Sequence, residues 1–157
     1  MVHCIAAFVA KPPVAKHVAE ALGGAHAYRL RHADLLVVPV TDDAFDALVA
    51  ARGPSGSAGN EFWRLTVGLT DLARECSVHG PIAYVETDYF GGAGMQGAAA
   101  WVDGEARLPP TVEEHSVVNA ALRLIGLRAE DGLDEFDTLG LGRTRRLDSF
   151  DGLPPVA

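Results

Sequence analysis

The stretch from Ile82 to Val102 constrains this chain more than any other. Ile82 to Phe90 and Gln96 to Val102 each have the composition of a β-strand, and Gly91, Gly92 and Gly94 crowd the short interval between them. Glycine reaches positive φ without steric cost, so strands joined this closely predict an antiparallel hairpin. A competing reading exists, because Gly92-Ala93-Gly94-Met95-Gln96-Gly97 matches the G-x-G-x-x-G pattern of dinucleotide-binding loops. That loop needs a buried parallel strand before it, a helix opening within it and an acid about 20 residues later at a strand end. Here Glu86 and Asp88 occupy the preceding strand, Asp103-Gly104 stops any helix, and Glu113 and Glu114 follow Pro109-Pro110. The hairpin reading stands, and no nucleotide or other cofactor is predicted.

Period-2 alternation places Tyr84, Glu86, Asp88 and Phe90 on one face of the first strand. Ala83, Val85, Thr87 and Tyr89 take the opposite, more core-like face. A turn centred on Gly92-Ala93 sets Glu86 opposite Ala99, Asp88 opposite Gly97 and Tyr84 opposite Trp101. Two carboxylates then lie ~7 Å apart along the strand, facing neighbours too small to cover them. Tyr84, Phe90, Gln96 and Trp101 complete this candidate binding face. Paired carboxylates can hold a divalent cation, serve as acid and base, or grip an arginine or lysine of a partner. The plainer account is a solvent-facing sheet surface, with the glycines serving the turn.

The rest of the chain supplies the fold class. Ile5–Val9 reads as a buried strand running into a helix that opens at Pro12-Pro13. That helix turns Val14, Val18, Ala21 and Leu22 to one face and stops at Gly23-Gly24. Residues 26–31 and 35–40 read as two strands separated by His32-Ala33-Asp34, and Leu35 to Val38 has the unbroken apolar run of a central strand. Thr41 or Asp42 caps a helix to about Arg52, residues 53–60 form a mobile surface loop, and a third helix runs from Asn60 to Cys76. Thr111 caps a fourth helix with Val118, Ala121, Leu122 and Ile125 inward, and residues 128–157 form an extended tail. The sum is one α+β domain over residues 1–157 in the order β-α-β-β-α-α-β-β-α plus tail. Its sheet is mostly antiparallel with helices on one face.

Composition narrows function. The formal charge is −8, from 13 Lys plus Arg against 21 Asp plus Glu, which repels nucleic-acid phosphates and suits a basic partner. Only Lys11 and Lys16 are lysines and neither follows a glycine loop, which excludes a P-loop. Ser55 and Ser57 narrowly miss G-x-S-x-G and lack its strand-to-helix elbow. Cys76-x-x-His79 is half a metal site, leaving Glu86 and Asp88 as the metal candidates. Arg143, Arg145 and Arg146 form a basic cluster expected to pair with the body's own carboxylates or stay solvated. Two cysteines, an N-terminus without a basic leader and no long apolar run predict a cytoplasmic protein off the membrane.

The residues PIAYVETDYFGGAGMQGAAAW, VNAALRLIGL and DEFDTLGLGRTR carry a resemblance over about Pro81 to Arg145. They resemble an uncharacterised family of small bacterial cytoplasmic proteins with a Y-x-E-T-x-Y-F-G-G-x-G-x-Q-x-A hairpin and a D-E-F-D-x-L-G-L-G-R segment. The resemblance implies a hairpin for Tyr84, Glu86, Tyr89, Phe90, Gly91, Gly92, Gly94 and Gln96, and no catalytic roles. Size and acidity make the chain similar to the immunity proteins of bacterial toxin systems. The expected function is therefore a binding protein that captures a basic partner through the acidic-aromatic hairpin. The alternative is a small acid–base or metal-assisted enzyme centred on Glu86 and Asp88. Exposed aromatics also fit a homodimer face.

Overall fold

The computed structural model describes residues 2–31, 34–59 and 61–156. Strand β1 (Val2–His3) is followed by β2 (Ala6–Ala10), whose five residues are all buried. Helix α1 (Pro12–Ala21) opens with prolines in its first turn, where missing N–H groups cost nothing, and buries Val14, Ala15, Val18 and Ala19. Strand β3 (Leu36–Pro39) leads to α2 (Asp42–Arg52), whose Ala44 N–H is capped by the Thr41 hydroxyl at 3.1 Å. Helix α3 (Val67–Cys76) is capped by Thr66 in the same way. Strands β4 (Ile82–Phe90), β5 (Ala93–Val102) and β6 (Glu105–Glu113) then form a meander, followed by α4 (Val117–Leu124) and the short α5 (Glu135–Leu139). No helix among the described residues is long and apolar enough to cross a membrane.

All strand pairs are antiparallel, in the order β3-β2-β4-β5-β6, with β1 lying beside the far end of β4. The α+β class and the antiparallel sheet are as expected. The layering differs: helices cover both faces rather than one. Phe8, Leu36, Val38, Ile82, Tyr84 and Trp101 pack under α1, α2 and α3, while Ala7, Val9, Val37, Ala83, Val85, Ala98 and Ala100 pack under α4 and the C-terminal segment. The cause is visible in β2 and β5, where neighbouring residues on both faces are apolar, so each face needs its own cover. Residues 128–156 supply part of it: Leu139, Leu141 and Phe150 are buried, in α5 and two short 3-10 turns rather than an extended surface tail.

Three further elements differ from expectation. Residues 26–31 form no strand, only a single bridge between Tyr28 and Val37. The third helix starts at Val67, because residues 63–65 are drawn off to bind a buried carboxylate; Asn60, like His32 and Ala33 of the expected turn, lies outside the described residues. Pro109-Pro110 and Thr111 lie inside β6, where the expected helix capped by Thr111 does not form. Among the described residues that strand pairs with β5 alone, so on its outer edge an absent donor costs little. Residues 53–59 of the expected loop are mostly exposed, with Ser57 bridged to Thr66.

Candidate functional site

The β4–β5 hairpin closes at Phe90 and Ala93 around Gly91 and Gly92, whose φ values of 62° and 83° require residues that accept the left-handed region. This centres the turn one residue earlier than expected. Glu86 therefore faces Gly97, Asp88 faces Met95, Tyr84 faces Ala99, and Trp101 faces Ile82. The shift along β5 is even, so Tyr84, Glu86, Asp88, Phe90 and Trp101 keep their expected face, whereas Gln96, paired with Thr87, does not. The second half of the G-x-G-x-x-G match runs straight along β5, with no helix following it.

The expected solvent-facing patch divides into an interior part and an exposed part. Tyr84 and Trp101 are fully buried, and Glu86 is 2% exposed. Glu86 Oε1 accepts from the Trp63 N–H at 2.8 Å. Its Oε2 accepts from the Tyr84 hydroxyl at 2.7 Å and from the N–H groups of Leu65 and Arg64 at 3.2 and 3.3 Å. Burial raises the Glu86 pKa, while the hydrogen bonds from Tyr84, Trp63, Leu65 and Arg64 pull it down. The Tyr84 phenol is pushed well above its ordinary value, first by burial and then by the neighbouring carboxylate. Three backbone donors in succession make residues 63–65 a strap fastened over the sheet by one carboxylate. Phe62 fits under the strap because residue 97 is glycine: a Cβ there would stand 2.5 Å from the Phe62 ring.

Arg64 takes no part in pairing Glu86 through its guanidinium. That group lies over the Phe45 and Trp63 rings, 5.1 and 5.2 Å from their centroids, and donates to Asp42 Oδ1 at 2.6 Å. Gln96 belongs to the other face. Its Oε1 accepts from the Val118 N–H at 2.8 Å and its Nε2 donates to the Tyr89 hydroxyl at 3.0 Å, which in turn donates to the Glu114 carbonyl. Gln96 thus caps α4, whose own preceding residue Ser116 sits at φ 79° and offers no side-chain cap.

Asp88 and Phe90 are the predicted residues that remain outside. Phe90 is 76% exposed, and Trp63 and Met95, at 38% and 37%, extend the apolar surface near Asp88. Trp63 is anchored by its indole N–H to the Thr87 carbonyl at 3.2 Å. Sequence reasoning missed Trp63 and Met95; alternation along β5 was the available signal for Met95, and Trp63 was hidden inside a helical pattern.

Beneath the opposite face, His3 joins β1 to β4 and to the C-terminal segment. Its Nε2 lies 2.9 Å from the Leu141 carbonyl and its Nδ1 2.7 Å from the Thr87 hydroxyl. The carbonyl can only accept, so Nε2 carries the proton and Nδ1 accepts from Thr87. Burial lowers the His3 pKa and Arg145 adds to this, against the Leu141 carbonyl, which raises it.

Other sequence candidates are dispersed. No group of three or more His, Cys, Asp or Glu residues among those described is placed to hold a metal. His79 stacks on the His17 ring with centroids 4.4 Å apart, and Cys4 and Cys76 are free thiols. Arg143, Arg145 and Arg146 are exposed. A groove of about 630 Å³ lies away from the hairpin, lined by residues from the end of α1, the start of α2 and the Leu147–Asp151 segment. No protein-family model matches this chain, and neither does any curated protein or solved structure.

Proposed function

We propose that this is a bacterial, cytoplasmic binding protein of the immunity type, which captures a basic partner through the end of its β4–β5 hairpin. The observation that carries the reading is Phe90, 76% exposed at the hairpin turn beside Asp88, with Trp63 and Met95 adding apolar surface. Neither core cluster takes up Phe90, whereas protein interfaces are built around aromatic anchors rimmed by charge. The net charge of −8 steers a basic protein toward such a surface. An acid–base or metal-assisted enzyme centred on Glu86 and Asp88 has less support. The acceptor positions of Glu86 are filled by four donors, and Asp88 stands on the exposed hairpin.

The test is capture of proteins encoded beside its gene, by the wild type and by a Phe90→Ser/Asp88→Asn variant. A basic protein held by the wild type and released by the variant supports the proposal. Equal capture by both overturns the assigned surface.

A further inference from the structure

The groove between α1, α2 and the C-terminal segment has the features of a cation site. Asp42, Asp43, Asp148 and Asp151 line it, and no lysine or arginine does. Asp42 is engaged by Arg64, but among the described residues Asp43, Asp148 and Asp151 have no ion-pair partner. Asp42 and Asp43 also occupy the first turn of α2, where they offset the positive helix end that would otherwise invite an anion.

A second feature points the same way. Tyr28 is 8% exposed, its ring packed 5.3 Å from that of Phe150, and it lines the groove. Among the described residues its hydroxyl has no hydrogen-bond partner, although no buried side-chain oxygen is left unsatisfied, so the hydroxyl opens on the groove. A phenol with a buried ring normally finds a partner for its oxygen. Here that oxygen is an acceptor on the same groove as the carboxylates, with the charge of Asp151 acting on it.

The carboxylates are too dispersed to chelate a bare ion, since they belong to no metal-holding group. A groove of about 630 Å³ instead has room for several side chains. We propose that it binds a basic polypeptide segment, receiving arginine or lysine side chains between Asp43, Asp148 and Asp151 with the Tyr28 hydroxyl as a further acceptor. Arginine suits it best, because a guanidinium spreads five donors over acceptors that come from separate elements. The site is distinct from the hairpin end and does not depend on it.

The test is calorimetric titration with a hexa-arginine peptide at low and physiological salt. Wild-type protein binds saturably. Asp148→Asn/Asp151→Asn weakens binding about tenfold, and Tyr28→Phe, which keeps the ring packing, weakens it about threefold. Glu105→Gln/Glu113→Gln removes the same charge from the exposed strand β6 and leaves affinity within about twofold. Equal weakening by the two charge pairs would mean a diffuse acidic field and overturn the site. So would absence of saturable binding, or an unchanged Tyr28→Phe variant. Peptide binding that survives in Phe90→Ser separates the fate of this groove from that of the hairpin surface.

Discussion

Tyr84 and Glu86 sit two residues apart on β4, point to the same side, and meet inside the protein with the phenol donating to the carboxylate at 2.7 Å. A carboxylate at an alternating strand position is ordinarily evidence of a wet face. Here that carboxylate fastens residues 63–65 over the sheet, and the Thr87 carbonyl holds the Trp63 indole beside the hairpin.

Glu86→Gln will destabilise the protein by about 1–3 kcal/mol, because the new amide NH₂ faces backbone N–H groups that lose their acceptor. Glu86→Ala removes every acceptor and costs more. Urea denaturation measures the loss, and faster amide exchange at Trp63, Arg64 and Leu65 locates it. Unchanged stability in Glu86→Gln would mean that the strap holds without the carboxylate.

Stability will depend on His3 at mildly acidic pH. Its folded pKa is below the ordinary value of 6.5, so between the two the unfolded chain binds the extra proton. Its contribution is complete above about 6.5 and declines as pH falls toward the folded value. Glu86 has the opposite sign: its folded pKa is raised, so its contribution is greatest below the ordinary carboxylate range and declines as pH rises through the folded value. His3→Ala should therefore flatten the acid side of the wild-type profile, measured by denaturation midpoints from pH 5 to 7.5. A His3→Ala profile parallel to wild type would exclude His3 as the cause.

Gln96→Leu will cost about 0.5–2 kcal/mol, the usual range for a lost helix cap, since the Val118 N–H and the Tyr89 hydroxyl both lose a partner. The loss should appear in exchange at the first turn of α4, with the turn at Gly91-Gly92 unaffected. Uniform protection in the variant would show that α4 needs no cap from β5.

Much of the architecture was legible locally. The prolines opening α1, the Thr41 cap, the all-apolar β2 and the inward stripe of α4 each depend on interactions within a few residues, and each occurs where expected. The β4–β5 hairpin was legible too, with the face of every β4 residue as expected, although the turn lies one residue earlier and Gln96 falls on the opposite face. Strand β6 was not, because prolines argue against a strand unless its position at the edge of a sheet is known.

The sequence by itself determined the antiparallel hairpin, its glycine turn and the side of the sheet that Glu86 would occupy, since alternation is a property of the strand alone. Only the tertiary structure decided whether that side is wet. Its cover comes from a segment 23 residues earlier, whose backbone donors reach Glu86, and from Phe62 filling the space that Gly97 leaves open. Alternation tells which residues share a face; what lies over that face depends on where distant segments pack. The carboxylates therefore parted, Glu86 into the core as a fastening and Asp88 out to the surface beside Phe90.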